Sequence, residues 1–526
     1  MRMSSGYDHD LHTMPTRRLD NMRHFVRRSL SIGVAVLVVA SCSSGASESS
    51  STDSVPATTD SVPAEFVPSS FTWSKCDNAE PDNLVTCSTL EVPYDYADPS
   101  VGSFSLFVKK RSVEDPTKRI GSLLVNPGGP GFGGSSLADD AYYYFSSDLL
   151  ERFDIIAWDP RGTGETTPAV DCVDSYDEYF GLDSPPDDDA EIQALIDASQ
   201  KFNDACLANS GEILPYISTA ASARDMNSIR LALGEEKITY LGFSYGSELG
   251  ATWTTLFPDT VRAAVLDGAV DPDADSTDEG KSQAKGFEQQ LSAFLAQCSA
   301  RVACKFHNKG NAEAAFDKLI ADIDANPLVV SSDRTPVTQG VAYTAIAQAM
   351  YSDFYWPQLE AALKSAQLGD GSGLLSLYDQ YFQRQDDGTY GNELEAFLSI
   401  SCLDDPGSTS VDEVNSKVDE FVAVAPRLGA NFAYGYSCAL WPIPQAPRVE
   451  ITGKGAGPIV VVGTTGDAAT PLESTRKMAK KLEQGILIVV SANQHTGYGA
   501  NSCVTKAVDD YLIDLVVPAN ELTCGN

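Results

Sequence analysis

Histidine is scarce in this sequence, with five copies among 526 residues. The chain also lacks any Cys-x-x-C pair, although it contains 11 cysteines. Zinc sites in proteins are built mainly from histidine and cysteine ligands at short, regular spacings. The sequence therefore predicts no metal site, and none of its motifs requires another cofactor.

Positive charge is also limited. Lysine and arginine together number 37 against 73 aspartates and glutamates, which gives a formal net charge of −36. Proteins that bind nucleic acid present clustered lysine and arginine to the phosphates. The charge balance therefore argues against a nucleic-acid partner, and it suits a soluble protein outside the cytoplasm.

The N-terminal apolar run is short. A membrane-spanning helix needs about 20 apolar residues, whereas Leu30–Ala40 has only 11. Arginines precede this run and small residues follow it, which is typical of a secretory signal. Val39-Ala40-Ser41-Cys42 is similar to a bacterial lipobox. We interpret residues 1–41 as a lipoprotein-type signal and Cys42 as the lipidated first residue; ordinary cleavage beside an incidental cysteine is the alternative.

The segment after the predicted cleavage has few apolar residues. Residues 42–70 are rich in serine, threonine and proline and contain TDSVPA twice. Such a segment buries too little apolar surface to fold, so we expect a disordered tether. These features predict an exported protein of the cell envelope, which contacts the membrane only through its lipid anchor or is shed into the medium.

The ten cysteines that remain after Cys42 form an even set, as expected for disulfides in an exported chain. Short loops close at the lowest entropic cost, so we predict sequential pairing. The predicted pairs are Cys76 with Cys87, Cys172 with Cys206, Cys298 with Cys304, Cys402 with Cys438, and Cys503 with Cys524.

The most informative local pattern is Gly242-Phe243-Ser244-Tyr245-Gly246, which matches G-x-S-x-G. A short apolar run from Ile238 precedes it and a helical pattern follows from Ser247. Strand, sharp turn and helix form the context of a nucleophile elbow, which exposes the serine hydroxyl. For this pattern alone, a tight turn with a buried serine is the alternative.

Strands alternate with helices on both sides of a long helical segment. The predicted strands include Ser103–Lys110, Ile120–Val125, Phe153–Trp158, Arg262–Leu266, Pro458–Gly463 and Gly485–Val490. This pattern predicts an α/β fold with one mostly parallel sheet. We assign residues 71–271 and 454–526 to the two parts of this core, and residues 272–453 to a large, mainly helical cap.

A serine nucleophile needs a base, and the base needs an acid to orient it. Three of the five histidines precede the predicted cleavage and His307 lies in the helical segment, which leaves His495 in a polar loop after a strand. Asp467 also follows a strand. Ser244, Asp467 and His495 then occur in the chain order of the α/β-hydrolases. A surface histidine and a turn aspartate are the alternatives.

A glycine-rich loop, Asn126–Gly134, follows the strand Ile120–Val125. No Gly-Lys-Ser/Thr comes after it, which excludes a P-loop. Backbone N–H groups in such a loop suit the binding of an oxyanion. A simple glycine-rich connection is the alternative.

Six motifs together resemble the proline iminopeptidase group of α/β-hydrolases, and within it the secreted actinobacterial tripeptidyl aminopeptidases. They span about 370 residues in the order Asn126–Gly131 (NPGGPG), Asp159–Gly164 (DPRGTG), Gly242–Gly246 (GFSYG), Leu266–Pro272 (LDGAVDP), Gly466–Pro471 (GDAATP) and Gln494–Gly499 (QHTGYG). Two positions depart from the group's usual pattern. Pro127 stands in place of a histidine, and Thr166-Thr167 replaces a serine, so the resemblance does not extend to proline specificity.

The resemblance implies an α/β-hydrolase fold and a serine exopeptidase that releases short peptides, with tripeptides the expected length, from free N-termini. Ser244 would be the nucleophile, His495 its base and Asp467 the orienting acid. The N–H groups of Gly129 and Tyr245 would bind the oxyanion. The implied partners are therefore peptide substrates with a free N-terminus.

An exopeptidase also needs an acidic group to receive the substrate's α-ammonium. Asp404 and Asp405 in the cap are candidates, against the alternative of a solvated acidic loop. Two other functions remain open at this stage. One is an exported carboxylesterase or lipase with the same triad, and the other is a surface lipoprotein without catalytic activity.

Overall fold

The computed structural model describes residues 66–77, 84–405 and 407–525. The predicted signal, Cys42 and most of the predicted tether lie outside these ranges. Phe66, near the end of the predicted tether, packs edge-on against Tyr96 with ring centroids 5.8 Å apart. No helix within the described ranges is both long enough and apolar enough to cross a bilayer.

One ten-stranded sheet runs through the described part of the chain. The strands are β1 Ser74–Lys75, β2 Val85–Pro93, β3 Ser103–Arg111, β4 Gly121–Asn126, β5 Phe153–Trp158, β6 Ile238–Phe243, β7 Val261–Asp267, β8 Ile459–Thr464, β9 Gly485–Val490 and β10 Leu522–Cys524. Their order is β1-β2-β3-β5-β4-β6-β7-β8-β9-β10. Pairing is parallel from β5 to β10, whereas β1, β2, β3 and β5 pair antiparallel.

The central strands are buried on both faces. Every residue of β5 and β8 is buried, as is every residue of β7 except Arg262. Neighbouring residues alternate between two apolar clusters, so that Leu124 joins one cluster and Val125 the other. Continuous apolar runs are what a parallel sheet with helices on both faces requires.

Helices surround this sheet and build the cap. Their bounds are α1 Ser136–Asp139, α2 Ala141–Tyr144, α3 Ser147–Arg152, α4 Asp177–Phe180, α5 Asp189–Ser210, α6 Thr219–Leu233, α7 Tyr245–Leu256, α8 Ser276–Ala300, α9 Ala312–Ala325, α10 Gln339–Met350, α11 Trp356–Ala366, α12 Ser372–Tyr381, α13 Glu393–Asp404, α14 Val411–Val424, α15 Gly429–Ala433, α16 Tyr436–Ala439, α17 Leu472–Lys481 and α18 Ser502–Asp514.

The segment from α8 to α16 is helical and has its own apolar cluster, which includes Phe294, Leu359 and Tyr378. The segment with α4 and α5 precedes it in the chain, yet Tyr176 is buried in the same cluster. Arg334 also pairs with Asp177 beside α4, at 2.8 Å. The cap therefore packs against residues that we assigned to the core from the sequence, within the range 71–271.

Five disulfides join the ten cysteines in the sequential pairing predicted from the sequence. Cys298–Cys304 and Cys402–Cys438 lie in the cap. Cys503–Cys524 connects α18 to the edge strand β10. Sequential pairing works because each partner lies on a neighbouring element, so only a short loop is closed.

The first strands differ from the sequence prediction. The nine-residue strand β2 pairs antiparallel with all of β3, and its polar residues Thr86, Ser88 and Glu91 hide it from a search for continuous apolar runs. Antiparallel edge strands keep one face in water and alternate polar with apolar residues. The sheet is therefore parallel only from β5 onward.

Five parallel strands end at one edge of the sheet. The glycine-rich loop follows β4, Ser244 follows β6, Asp267 ends β7, and loops after β8 and β9 carry Asp467 and His495. Because the carboxyl ends of parallel strands lie at the same edge, these residues gather there.

Candidate active site

Ser244 sits in the sharp turn between β6 and α7. Its φ of 55° and ψ of −124° are unusual for a residue with a side chain. The Ser244 N–H donates to the Asp267 carbonyl at 2.8 Å, which fixes the turn against β7. A Cβ at Gly242 would overlap the Gly246 carbonyl and the Tyr240 ring, so the close approach of strand and helix requires glycine there.

His495 is oriented by Asp467. The imidazole Nδ1 lies 2.9 and 3.0 Å from the two carboxylate oxygens of Asp467. That carboxylate also accepts from the N–H groups of Ala469 and Thr470 and from the Thr470 hydroxyl. A carboxylate only accepts, so Nδ1 carries the proton and Nε2 is left as the basic nitrogen. Burial of the ring opposes its charged form, but the Asp467 charge and hydrogen bond outweigh this and raise the pKa of His495.

His495 lines the same cavity as Ser244. Nε2 is buried and has no hydrogen-bond partner among the described residues, Ser244 included. Catalytic hydrogen bonds in unliganded sites are often long and shorten in the substrate complex. The arrangement therefore provides a nucleophile, a base with a free nitrogen, and an acid that orients the base.

Two residues that sequence reasoning did not assign hold the histidine loop. Asp267, at the end of β7, accepts hydrogen bonds of 2.7 Å from the N–H groups of Gly497 and Tyr498. Burial raises the pKa of Asp267 to about 6. From the cap, the Tyr351 carbonyl accepts from the His495 N–H at 2.7 Å, and its ring stands edge-on to the imidazole. The LDGAVDP motif at the end of β7 could have identified Asp267 from the sequence. No sequence motif identifies Tyr351.

The predicted oxyanion donors flank the serine. Tyr245 is the first residue of α7, and the first N–H groups of a helix have no partner within it. Gly128 uses its N–H to hold the Asn126 side chain, while the Gly129 N–H donates to no described residue. Gly129 and Ser244 line the same two cavities. Both donors therefore adjoin the nucleophile.

Two cavities meet at Ser244 and Gly129. The first, which we call the aromatic cavity, has a volume of about 520 Å³ and also contains His495. Its other lining groups are mostly rings and amides, and they include Phe132, Tyr144, Gln348, Tyr351, Tyr355, Gln380, Phe382, Gln383, Glu393 and Phe397.

The second, which we call the acidic cavity, has a volume of about 300 Å³ and contains Tyr245. Its carboxylates come from both the core and the cap. They are Glu248, Asp271, Asp275, Glu279, Asp404 and Asp405, and Arg448 is the basic residue in the lining.

Four of these six carboxylates form no salt bridge within the described ranges; they are the exposed Asp275 and the part-buried Glu248, Glu279 and Asp404. Arg448 lies 3.4 Å from Asp405, and its charge lowers the pKa of the three part-buried carboxylates without offsetting the effect of burial. Burial, followed by the charge of Glu248, raises the pKa of Glu279 and of Asp404 to about 7. An arriving cation would stabilise the ionised form of such a carboxylate.

The structure therefore separates the two residues that the sequence offered for an ammonium. Asp404 lines the acidic cavity and is bound by Thr219, which differs from a solvated acidic loop. Asp405 lines it too, but pairs with Arg448. Sequence reasoning missed Glu248 and Glu279; the position of Glu248 one helical turn after Ser244 was the available signal.

No group of three or more histidine, cysteine, aspartate or glutamate side chains in the described ranges is arranged to hold a metal ion.

Comparison with known proteins places this site in context. A family model described as alpha/beta hydrolase fold matches residues 121–500. Serine protease Hip1 of Mycobacterium tuberculosis (strain H37Rv) is 32% identical over 475 residues, which is 86% of this chain and 90% of that protein. Carboxylesterase B of the same strain is 34% identical and covers 86% and 89%. The matched range of the family model includes Ser244, Asp467 and His495.

A further relative, tripeptidyl aminopeptidase of Streptomyces lividans, is 29% identical over 459 residues, which is 84% of each chain. Among solved structures, the proline iminopeptidase of Mycobacterium smegmatis is 16% identical and covers 81% of this chain and 97% of its own, with a TM-score of 0.34.

Proposed function

The chain belongs to the alpha/beta hydrolase family, and from that premise we propose that it is an exported serine exopeptidase. It releases short peptides from the free N-termini of its substrates. Relatives named serine protease and tripeptidyl aminopeptidase support a serine peptidase. The observation that carries the exopeptidase assignment is the acidic cavity, which adjoins the nucleophile and contains the part-buried carboxylates Glu248, Glu279 and Asp404, none of which forms a salt bridge within the described ranges.

The proposed chemistry follows from the site geometry. Ser244 attacks the scissile carbonyl while His495 Nε2 takes its proton, and Asp467 stabilises the imidazolium that forms. The carbonyl oxygen becomes an oxyanion between the N–H groups of Tyr245 and Gly129. His495 then gives its proton to the leaving amine, which leaves an acyl-enzyme on Ser244 for water to hydrolyse.

The position of His495 orients the substrate. The leaving amine must receive its proton from His495, so the downstream part of the peptide lies in the aromatic cavity, which contains His495. The acyl part then extends into the acidic cavity. This direction brings the N-terminal ammonium to Glu248, Glu279 and Asp404, which is the orientation that an aminopeptidase needs.

The acidic cavity also bears on the length of the released peptide. Its volume of about 300 Å³ is at the small end of the range for ligand pockets in proteins. A small acyl-side cavity that ends in carboxylates favours a short peptide over an internal segment of a long chain. We propose tripeptides, supported by the relative named tripeptidyl aminopeptidase.

Export and anchoring belong to the same proposal. The basic stretch, the short apolar run and the lipobox-like sequence before Cys42 support a lipoprotein signal. Five disulfides support an oxidising compartment. Detergent-phase partition of the native chain and of Cys42→Ser tests this, because loss of the lipid moves the protein to the aqueous phase. Equal partition of both chains contradicts the anchor.

Turnover of three fluorogenic or chromogenic substrates tests the exopeptidase assignment. They are a tripeptidyl amide with a free amine, the same amide N-acetylated, and a short-chain ester. We expect strong turnover of the free-amine amide, little of the acetylated amide, and none of either with Ser244→Ala. Dipeptidyl and tetrapeptidyl amides then measure the preferred length.

The relative named carboxylesterase B makes an esterase the second candidate. Turnover of the ester without either amide would contradict the peptidase assignment while keeping the same serine chemistry. Equal turnover of the free and acetylated amides would indicate a peptidase that does not recognise the amine. A protein without catalytic activity would also fail to react with a fluorophosphonate probe at Ser244.

A further inference from the structure

Thr219, the first residue of α6, lies between the two functional halves of the site. It is 5% exposed. Its hydroxyl oxygen is 2.6 Å from Oδ2 of Asp404 and 2.5 Å from the hydroxyl of Tyr245. One buried hydroxyl thus joins a carboxylate of the acidic cavity to the residue that follows the nucleophile.

The chemistry of the three groups sets the direction of these bonds. An ionised Asp404 only accepts, and a threonine hydroxyl has a single hydrogen to donate. Thr219 therefore donates to Asp404 and accepts from the Tyr245 hydroxyl. The Thr219 N–H also donates to both Asp404 oxygens, at 3.1 Å, which places the carboxylate at the N-terminus of α6. Protonated Asp404 would donate to Thr219 instead and reverse the chain of bonds.

Each end of this chain has a separate task. Asp404 faces the space where the proposed ammonium binds. Tyr245 supplies a proposed oxyanion N–H, and its buried side chain is anchored at the far end by the bond to Thr219. The anchored ring and the proposed oxyanion N–H belong to the same residue, which begins α7 directly after the strained turn at Ser244.

We propose that Thr219 is a positioning residue that couples amine binding at Asp404 to the oxyanion donor Tyr245, so that the substrate amine raises kcat as well as lowering KM. This inference rests on the proposed exopeptidase function. A bound ammonium keeps Asp404 ionised, which holds both hydrogen bonds in one direction and the Tyr245 ring in one place. Substrates without the amine lose this alignment, although Ser244 and His495 are unchanged.

A matched substrate pair tests the proposal. One substrate is a tripeptidyl amide, and the other is its des-amino analogue, in which hydrogen replaces the N-terminal amine and the scissile bond is identical. The readout is the kcat of the first divided by the kcat of the second. We expect this ratio to exceed about tenfold in the wild type, since an amine-stabilised donor is worth part of the 10²- to 10³-fold effect of an oxyanion donor.

Three variants locate the coupling. Thr219→Val keeps the shape but removes the hydroxyl, and we expect the kcat ratio to fall to about a third of the wild-type value or less. Thr219→Ser keeps the hydroxyl and restores the ratio. Tyr245→Phe breaks the other bond and lowers the ratio equally, and the double variant lowers it no further, because the two residues form one chain.

Several outcomes would overturn the proposal. If Thr219 has only a structural role, Thr219→Val lowers kcat on both substrates and leaves the kcat ratio unchanged. Additive losses in the double variant also exclude a single chain. If Thr219→Val does not fold, the kcat ratios of Tyr245→Phe and Thr219→Ser test the proposal without it. A wild-type amine effect confined to KM overturns this inference but keeps the exopeptidase, whereas equal kcat and KM on both substrates overturns both.

Discussion

The acidic and aromatic cavities share Ser244, Gly129 and three rings, but they differ in the charge that they present. The acidic cavity contains six carboxylates, whereas the aromatic cavity contains one, Glu393, together with further rings, three glutamines and His495. Within a serine triad, the histidine sets which side of the scissile bond leaves, because it must protonate the leaving amine. The difference between the cavities therefore bears on which peptide binds, and under the proposed function the selection of a free N-terminus comes from the surroundings of the nucleophile.

The two cavities also draw on different parts of the chain. Ser244, Asp467 and His495 stand on loops of the core sheet, whereas Glu279 and Asp404 come from the cap and Tyr355 lies between two cap helices. Under the proposed function, core residues supply the chemistry, and cap residues together with Glu248 of the core select which substrate reaches it. The following predictions test this division, in order of expected size.

The largest effect on turnover is expected for Ser244, which lines both cavities. Ser244→Ala removes the nucleophile and should lower kcat by about 10⁴- to 10⁶-fold on amides and esters alike. Because neither cavity changes, a tripeptide with a free amine should still bind with a similar Kd in calorimetry. Equal loss of binding and turnover would show that the serine substitution had disturbed the cavities as well.

The next largest effect, on KM, should distinguish the acidic cavity from the aromatic cavity. Asp404→Asn removes a charge that meets the ammonium, and hydrogen bonds to charged groups contribute about 1.5–3 kcal/mol. We therefore expect KM for the free-amine tripeptidyl amide to rise about 10- to 100-fold. KM for the short-chain ester should change little, since the ester carries no amine.

Glu395→Gln is the matched control for that prediction. Glu395 lies on the same helix α13, and burial raises its pKa to about 7, as with Asp404. It accepts from the N–H groups of Cys172 and Val173 and lines neither cavity. If both variants raise KM equally, the cause is disturbance of the helix, and amine recognition by Asp404 is excluded.

A smaller effect should appear on changing pH. Burial and the charge of Glu248 raise the pKa of Asp404 and of Glu279 to about 7. Between pH 6 and pH 7 the ionised fraction of such a group rises about fivefold, so KM for the free-amine substrate should fall by about that factor. KM should rise again above about pH 8, where the substrate amine loses its proton.

The same titration should act on stability with the opposite sense. The folded-state pKa of Asp404 and Glu279 lies above the unfolded value, so the empty protein is most stable where these groups keep their protons. That contribution is lost as pH rises from the unfolded pKa, about 4, to the folded-state pKa of about 7. The thermal midpoint of the unliganded protein should therefore decline between about pH 4 and pH 7, and decline less in Asp404→Asn. A slope identical in both proteins would mean that Asp404 does not titrate there.

The smallest effect should fall on the aromatic cavity. Tyr355→Ala removes a ring that contacts the leaving part of the peptide, and such contacts contribute about 1 kcal/mol. We expect KM to rise about threefold to fivefold for substrates with residues after the scissile bond. Phe354→Ala is the control, because the adjacent Phe354 is 79% exposed and lines neither cavity. If Tyr355→Ala and Phe354→Ala change KM equally, the leaving part of the peptide does not bind in the aromatic cavity.

Much of the architecture could be predicted because it depends on local patterns. Buried parallel strands are continuous apolar runs, which is why β5, β8 and β9 could be located within a residue or two. The G-x-S-x-G turn can be recognised in the sequence by its two glycines. Strand β2 was missed because its polar and apolar residues are mixed, as in an antiparallel strand with one face in water, and β10 was missed because three residues carry too little pattern.

The sequence by itself determined the parts of this protein that lie close together in the chain: the elbow around Ser244, the strand-end positions of Asp467 and His495, and the disulfides between neighbouring elements. Only the tertiary structure decided which carboxylates face the nucleophile. Asp404 is 160 residues from Ser244 in the chain, and with 73 acidic residues no local pattern distinguishes it. Its place in the acidic cavity and its bonds to Thr219 make it distinctive, and both arise only when the cap packs against the core.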